Sequence, residues 1–168
     1  MKKGIFTLIL TLFVVSGFVY ANNEIIGETP AKNAKKAWEA TPEGIAFKKW
    51  EASPAGKKVY AGEAKIRKSI REFSNMNAVV TSLTLPQGSR LGYGIMVNIN
   101  GEDYILAFGV ESKNEFDQLR KLKVNDKINI KSRNVSHAPK YAYPILAGDN
   151  IERNGKLFYK RVASKGGC

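Results

Sequence analysis

Ser112-Lys113-Asn114-Glu115-Phe116-Asp117-Gln118-Leu119-Arg120-Lys121-Leu122, running into Lys123-Val124-Asn125-Asp126-Lys127-Ile128-Asn129-Ile130-Lys131, is where the fold is decided. Ser112 and Glu115 have capping-box spacing, and Phe116, Leu119 and Leu122 recur every three residues, so a helix opens here with one apolar face. Lys127 to Lys131 then alternates strictly, which is the period of a half-buried strand. Working outward, the flanking chain is all strand. Upstream, Asn77 to Leu85 places Val79, Thr81, Leu83 and Leu85 on one face and stops at Pro86-Gln87-Gly88-Ser89. Tyr93 to Ile99 alternates through Ile95 and Val97. Asn100-Gly101 is a two-residue hairpin signal, followed by a strand from Glu102 to Phe108. Downstream, Tyr141 to Ile151 reads as one strand, and Asn154-Gly155 folds a last hairpin with Leu157-Phe158-Tyr159 returning along it.

Strand, strand, strand, helix, strand, strand, with Val124-Asn125-Asp126-Lys127-Ile128 leading into the fourth strand, resembles an OB-fold over residues 77–162. The resemblance is one of topology and brings no functional motif. It implies a small antiparallel β-barrel with one helix between strands 3 and 4. It also implies a binding face on strands 2 and 3, rimmed by loops 1-2 and 4-5.

Before the strands, residues 22–76 carry three twelve-residue units: Thr29-PAKNAKKAWEA, Thr41-PEGIAFKKWEA and Ser53-PAGKKVYAGEA. Each opens on Ser/Thr-Pro, where the hydroxyl caps free amides and proline fits the first helical turn. A single long helix would lose about 3 kcal/mol at each internal proline. Twelve residues would also rotate Trp50 about 120° away from Trp38, so three short helices are expected. Short helices must pack to persist, which makes Trp38, Ile45, Phe47, Trp50, Val59 and Tyr60 the expected buried groups. The third helix should continue along a stripe of Ile66, Ile70 and Phe73.

The first residues read as an address. Met1-Lys2-Lys3 is a basic start, Gly4 to Tyr20 carries no charge, and Val19-Tyr20-Ala21 ends on a residue a signal peptidase accepts. The expectation is a signal peptide over 1–21 cleaved after Ala21, a periplasmic or secreted product, and a flexible tail at 163–168. No later apolar stretch reaches membrane-spanning length.

The chain has 168 residues, with 27 Lys and Arg against 15 Asp and Glu, for a formal net charge of +12. Hydrophobic content of 43% excludes a disordered or collagen-like chain. One cysteine excludes an internal disulfide framework, and one histidine leaves no basis for a His-built metal site, so no cofactor or metal is expected. Cys168, in an oxidising compartment, would permit a disulfide-linked homodimer.

No catalytic constellation assembles from these residues. His137 lacks a nucleophile or carboxylate at recognisable spacing, and the carboxylates near the strands sit beside turns or on the helix. Cations interleaved with aromatic rings are what an anionic polymer needs, whether nucleic acid or glycan. Loop 1-2 supplies Arg90 and leads to Tyr93. The fourth strand supplies Lys131 and Arg133, and loop 4-5 supplies His137, Lys140 and Tyr141. The sequence therefore points to an exported, non-catalytic binding module for an anionic polymer. An assembly protein that oligomerises or binds a protein partner through the helical repeat is the alternative, and a hydrolase using the His137 loop is a third.

Overall fold

The computed structural model describes residues 30–109 and 112–161. The expected signal peptide, its cleavage site at Ala21, the opening Thr29 and the tail with Cys168 lie outside the described residues. Among the described residues the class is α+β, with four helices and eight strands. The chain divides into two compact units, up to Ala37 and from Trp38 onward.

The helices begin at the prolines: α1 (Pro30–Glu39), α2 (Pro42–Ala52) and α3 (Pro54–Glu72). The α1–α2 and α2–α3 corners are built alike. The Thr41 hydroxyl accepts from the Gly44 amide at 3.1 Å and donates to the Trp38 carbonyl at 2.7 Å. Ser53 does the same with Gly56 at 3.1 Å and the Trp50 carbonyl at 2.6 Å. Each hydroxyl thus satisfies an orphan donor of one helix and an orphan acceptor of the helix before. A Cβ on Gly44 or Gly56 would stand 2.2 Å from the Trp38 or Trp50 carbonyl oxygen, so only glycine permits corners this tight. Val59 is buried and Phe47, Trp50 and Tyr60 are half-buried, but Trp38 stays 44% exposed and Ile45 60%. Trp38 packs edge-on against Phe47, with ring centroids 5.5 Å apart. Phe73 also leaves its expected stripe. It ends α3 in a left-handed conformation at φ 48°, which swings its ring off the face that carries Ile66 and Ile70.

Eight strands follow: β1 (Met76–Ser82), β2 (Gly94–Ile99), β3 (Glu102–Ala107), β4 (Lys127–Lys131), β5 (Val135–Ser136), β6 (Ile145–Ala147), β7 (Asn150–Arg153) and β8 (Lys156–Lys160). They form one sheet in the order β5-β6-β3-β2-β1-β4-β7-β8. It is mixed, because β3 and β6 run parallel, and it is open, because β5 and β8 at its ends do not pair with each other. The single strand expected over Tyr141 to Ile151 is two. At Gly148-Asp149 the chain leaves β3 for β4: the Gly148 amide donates to the Ala107 carbonyl, and the Asp149 amide to that of Lys131.

The helix between β3 and β4, α4 (Lys113–Leu119), has the reciprocal capping box of Ser112 and Glu115 and buries Leu119. Both Asn-Gly hairpins form, with Asn100 and Asn154 at positive φ. The core gathers Val80, Ile95, Val97, Tyr104, Leu106, Leu119, Ile130 and Ile151 around Ile66 of α3, and the Tyr104 hydroxyl donates to the Gly62 carbonyl at 2.9 Å. In β1 the buried row is Met76, Ala78 and Val80, while Val79 and Thr81 face out, the reverse of the expected face. An irregularity after Val80 shifts the register there, so Leu83 and Leu85 do not share a face with the residues before it. β2 is buried almost throughout, because Met96 packs against Ile105, Tyr141 and Ile145 on the face away from the main core.

Asp126 anchors the approach to β4. Its Oδ2 accepts from the Lys123 amide and the Arg153 guanidinium, each at 2.9 Å. Burial alone would push this carboxyl up, but those two donors outweigh it and hold the carboxyl below its ordinary value. A lowered carboxylate pKa stabilises the fold above the unfolded value near pH 4 and loses that contribution as pH falls through the folded value. Asp126→Asn is therefore expected to cost about 1–2 kcal/mol at pH 7. In urea titrations the difference from wild type should be full above about pH 5 and shrink as pH falls through the acid range below about pH 4.

Candidate functional site

The seven residues expected to bind fall into separate places. Lys131, at the end of β4, and Arg133, just beyond it, line a cleft of about 360 Å³ together with Phe73, Asp149, Asn150, Lys160 and Arg161. The Arg133 guanidinium lies 3.9 Å from the Phe73 ring centroid, and Lys131 Nζ approaches the same ring at 5.9 Å. Stacking on the ring leaves the outer N–H edge of Arg133 open to an anion. Arg161 reaches Asp149 at 3.4 Å, so four cations share one carboxylate in the cleft. Asn150, on the same wall, has a buried Oδ1 with no hydrogen-bond partner among the described residues.

Phe73 is the unexpected member. A bulky residue at positive φ costs about 1–2 kcal/mol relative to a glycine, which helix ends favour at such positions. Outliers of this kind persist where the surroundings hold them and concentrate at functional positions. Lys160 and Arg161 carry no periodic signal of their own, and β8 brings them to Lys131 only because β7 pairs with both β4 and β8. Those three residues were not legible from the sequence.

Arg90, Lys140 and Tyr141 meet elsewhere, where the β1–β2 connection closes on the β5–β6 connection. The Tyr141 hydroxyl accepts from the Arg90 amide at 3.2 Å and bonds Ser89 Oγ at 3.1 Å. Lys140 donates to the Gly88 carbonyl at 3.3 Å. Burial pushes the Tyr141 hydroxyl up, and these donors with Lys140 more than reverse it. The Tyr141 ring is only 4% exposed, packed into the second apolar cluster, so it offers no face to a ligand. Tyr93 is likewise engaged, its ring 5.0 Å from Phe116 and 5.8 Å from Phe108.

His137, just past β5, lies against the helices rather than at an open rim. Phe47, Trp50 and His137 form a triangle of rings with centroids 5.5–5.9 Å apart, and Tyr60 meets the imidazole edge-on at 4.6 Å. Nδ1 stands 2.6 Å from Glu63 Oε1 and Nε2 stands 3.0 Å from the Tyr60 hydroxyl. That hydroxyl in turn donates to Glu51 at 2.5 Å. With Tyr60 donating to Glu51, all three contacts are hydrogen bonds at once when both ring nitrogens carry protons. Burial and then Glu51 push the Tyr60 hydroxyl up to about 12, and its donated bond is the main reason Glu51 lies low. A hydroxyl so raised is a poor nucleophile, and neither imidazole nitrogen is left for a substrate. The constellation ties β5 to α2 and α3. No three His, Cys, Asp or Glu residues among those described stand together as a metal site. No described helix is long and apolar enough to cross a membrane.

Comparison with protein-family models, with curated proteins and with solved structures finds no match.

Glu63 is only 6% exposed, so removing His137 strands a buried carboxylate. His137→Ala is expected to cost about 3 kcal/mol or more in chemical denaturation. Adding Glu63→Gln to that variant should recover part of the loss, since the carboxylate is then no longer a buried charge.

Proposed function

We propose that the protein is an exported, non-catalytic binding module for an anionic polymer. The observation that carries this reading is the cleft in which Lys131, Arg133, Lys160 and Arg161 converge around the Phe73 ring. Phosphate or sulfate groups pair with the cations, and the ring, held at a conformational cost, keeps two of the cations in place for them. The net charge, +12 for the whole chain and +10 once Lys2 and Lys3 leave with the signal peptide, adds long-range attraction for the same class of ligand. Lys2-Lys3, the uncharged run to Tyr20 and Ala21 support export to the periplasm or medium. The placement of β1 between β2 and β4, with β6 parallel to β3, supports reading residues 77–162 as an opened variant of the OB topology. The cleft lies beside β4, β7 and β8 rather than on the strand 2–3 face that the OB resemblance implies, so the polymer is placed on the β4 side by the cations and not by the topology.

A protein partner at the helical segment is the second reading, favoured by the exposure of Trp38 and Ile45.

Fluorescence anisotropy with a labelled single-stranded oligonucleotide and with a sulfated glycan tests the first reading. With three cations on anionic groups, affinity should fall roughly 20-fold between about 50 and 200 mM salt. Arg133→Ala should weaken binding by about tenfold. Phe73→Gly should also weaken it, while leaving thermal stability equal or higher because the backbone strain is relieved. No binding at low salt, or both variants binding like wild type, would sink the proposal.

A further inference from the structure

An open groove of about 620 Å³ lies elsewhere, over the outward face of β1, β4 and β7 between the two Asn-Gly turns. Its chemistry is unlike that of the cationic cleft. In register across the strands stand Asn77 opposite Asn129 and Asn129 opposite Glu152, with Val79 opposite Lys127 in the next row. Asparagine is a poor strand residue, and two of them side by side in central strands call for a reason. Asn98, also on the groove wall, has one: it accepts from the Gly101 amide at 3.0 Å and donates to Asp103 at 2.9 Å, which secures the hairpin. The side chains of Asn77, Asn129, Lys127 and Glu152 have no such partner among the described residues.

We infer that this groove binds an uncharged oligosaccharide. Each free amide presents an acceptor and two donors, the complement of a sugar hydroxyl that both donates and accepts. Glu152 adds an acceptor, Lys127 a donor, and Val79, 36% exposed, an apolar spot for the C–H face of a ring. A cavity of this size matches the usual range for small-ligand sites. Other ligands fit worse. The groove holds no aromatic ring on which a base would stack. Glu152 opposes a polyanion. A peptide strand cannot add here, because β1 and β4 are each already paired on both sides. The inference is independent of the polyanion reading, since no residue lines both sites.

The test is an NMR titration of the ¹⁵N-labelled full chain with maltotetraose, cellotetraose and fully N-acetylated chitotetraose. At least one should shift the side-chain amide resonances of Asn77 and Asn129 saturably, with a Kd in the millimolar range. Asn77→Val/Asn129→Thr installs better strand formers, so it should melt no lower than wild type. That variant should also bind at least about tenfold more weakly. Arg133→Ala should leave sugar binding unchanged, which separates failure of this site from failure of the cationic cleft. Absence of saturable shifts with all three sugars at about 20 mM would overturn the inference. So would undiminished binding by the Asn variant, or shifts confined to the Phe73 cleft.

Discussion

The contact between His137 and the buried carboxylate of Glu63 is the constraint on which the rest of the arrangement depends. Helices as short as α2 are not stable alone in water. They persist because the imidazole offers one nitrogen to α3 through Glu63, the other to Tyr60, and its ring to Phe47 and Trp50 of α2. Leaving Glu63 without that partner would expose the fold to the cost of a buried charge. The aromatic contacts add roughly 0.5–1.5 kcal/mol each, so the polar pair and the ring cluster reinforce each other. With α2 and α3 held, Ile66 and Gly62 reach the sheet, where Gly62 accepts the Tyr104 hydroxyl.

α3 in turn places the Phe73 ring. The helix could end more cheaply on glycine, yet it ends on a phenyl group under a guanidinium. Local strain and surface charge therefore meet at one point, beside a strand pair that delivers Lys160 and Arg161 from the far end of the chain. The amide-lined groove is the opposite case. There the departure from local preference lies in the choice of side chain on β1 and β4.

Signals that act within a few residues were legible. The Ser112–Glu115 box, the Ser/Thr-Pro helix starts at Pro42 and Pro54, and the Asn-Gly turns all depend on bonds between near neighbours, and each stands where its residues place it. The inward row of β4, Ile128 and Ile130, was legible for the same reason. The face of β1 was not, because Val79 and Thr81 look as buriable as Ala78 and Val80 until the neighbouring strands are known. Tyr93 and Tyr141 read as binding rings, and neighbours distant in sequence engage both in packing instead.

By itself, then, the order of residues determined where helices and turns begin, because caps, prolines and Asn-Gly pairs act through local sterics and local hydrogen bonds. It also determined that the chain would carry a large positive charge. Tertiary structure alone decided which cations share a cleft, which tyrosines lose their faces, and that the one histidine fastens helices to sheet. Those outcomes rest on pairings tens of residues apart, such as Glu63 with His137 and Lys131 with Lys160. No local pattern encodes them, because the free energy that selects them arises only when the core closes and water leaves the surfaces between.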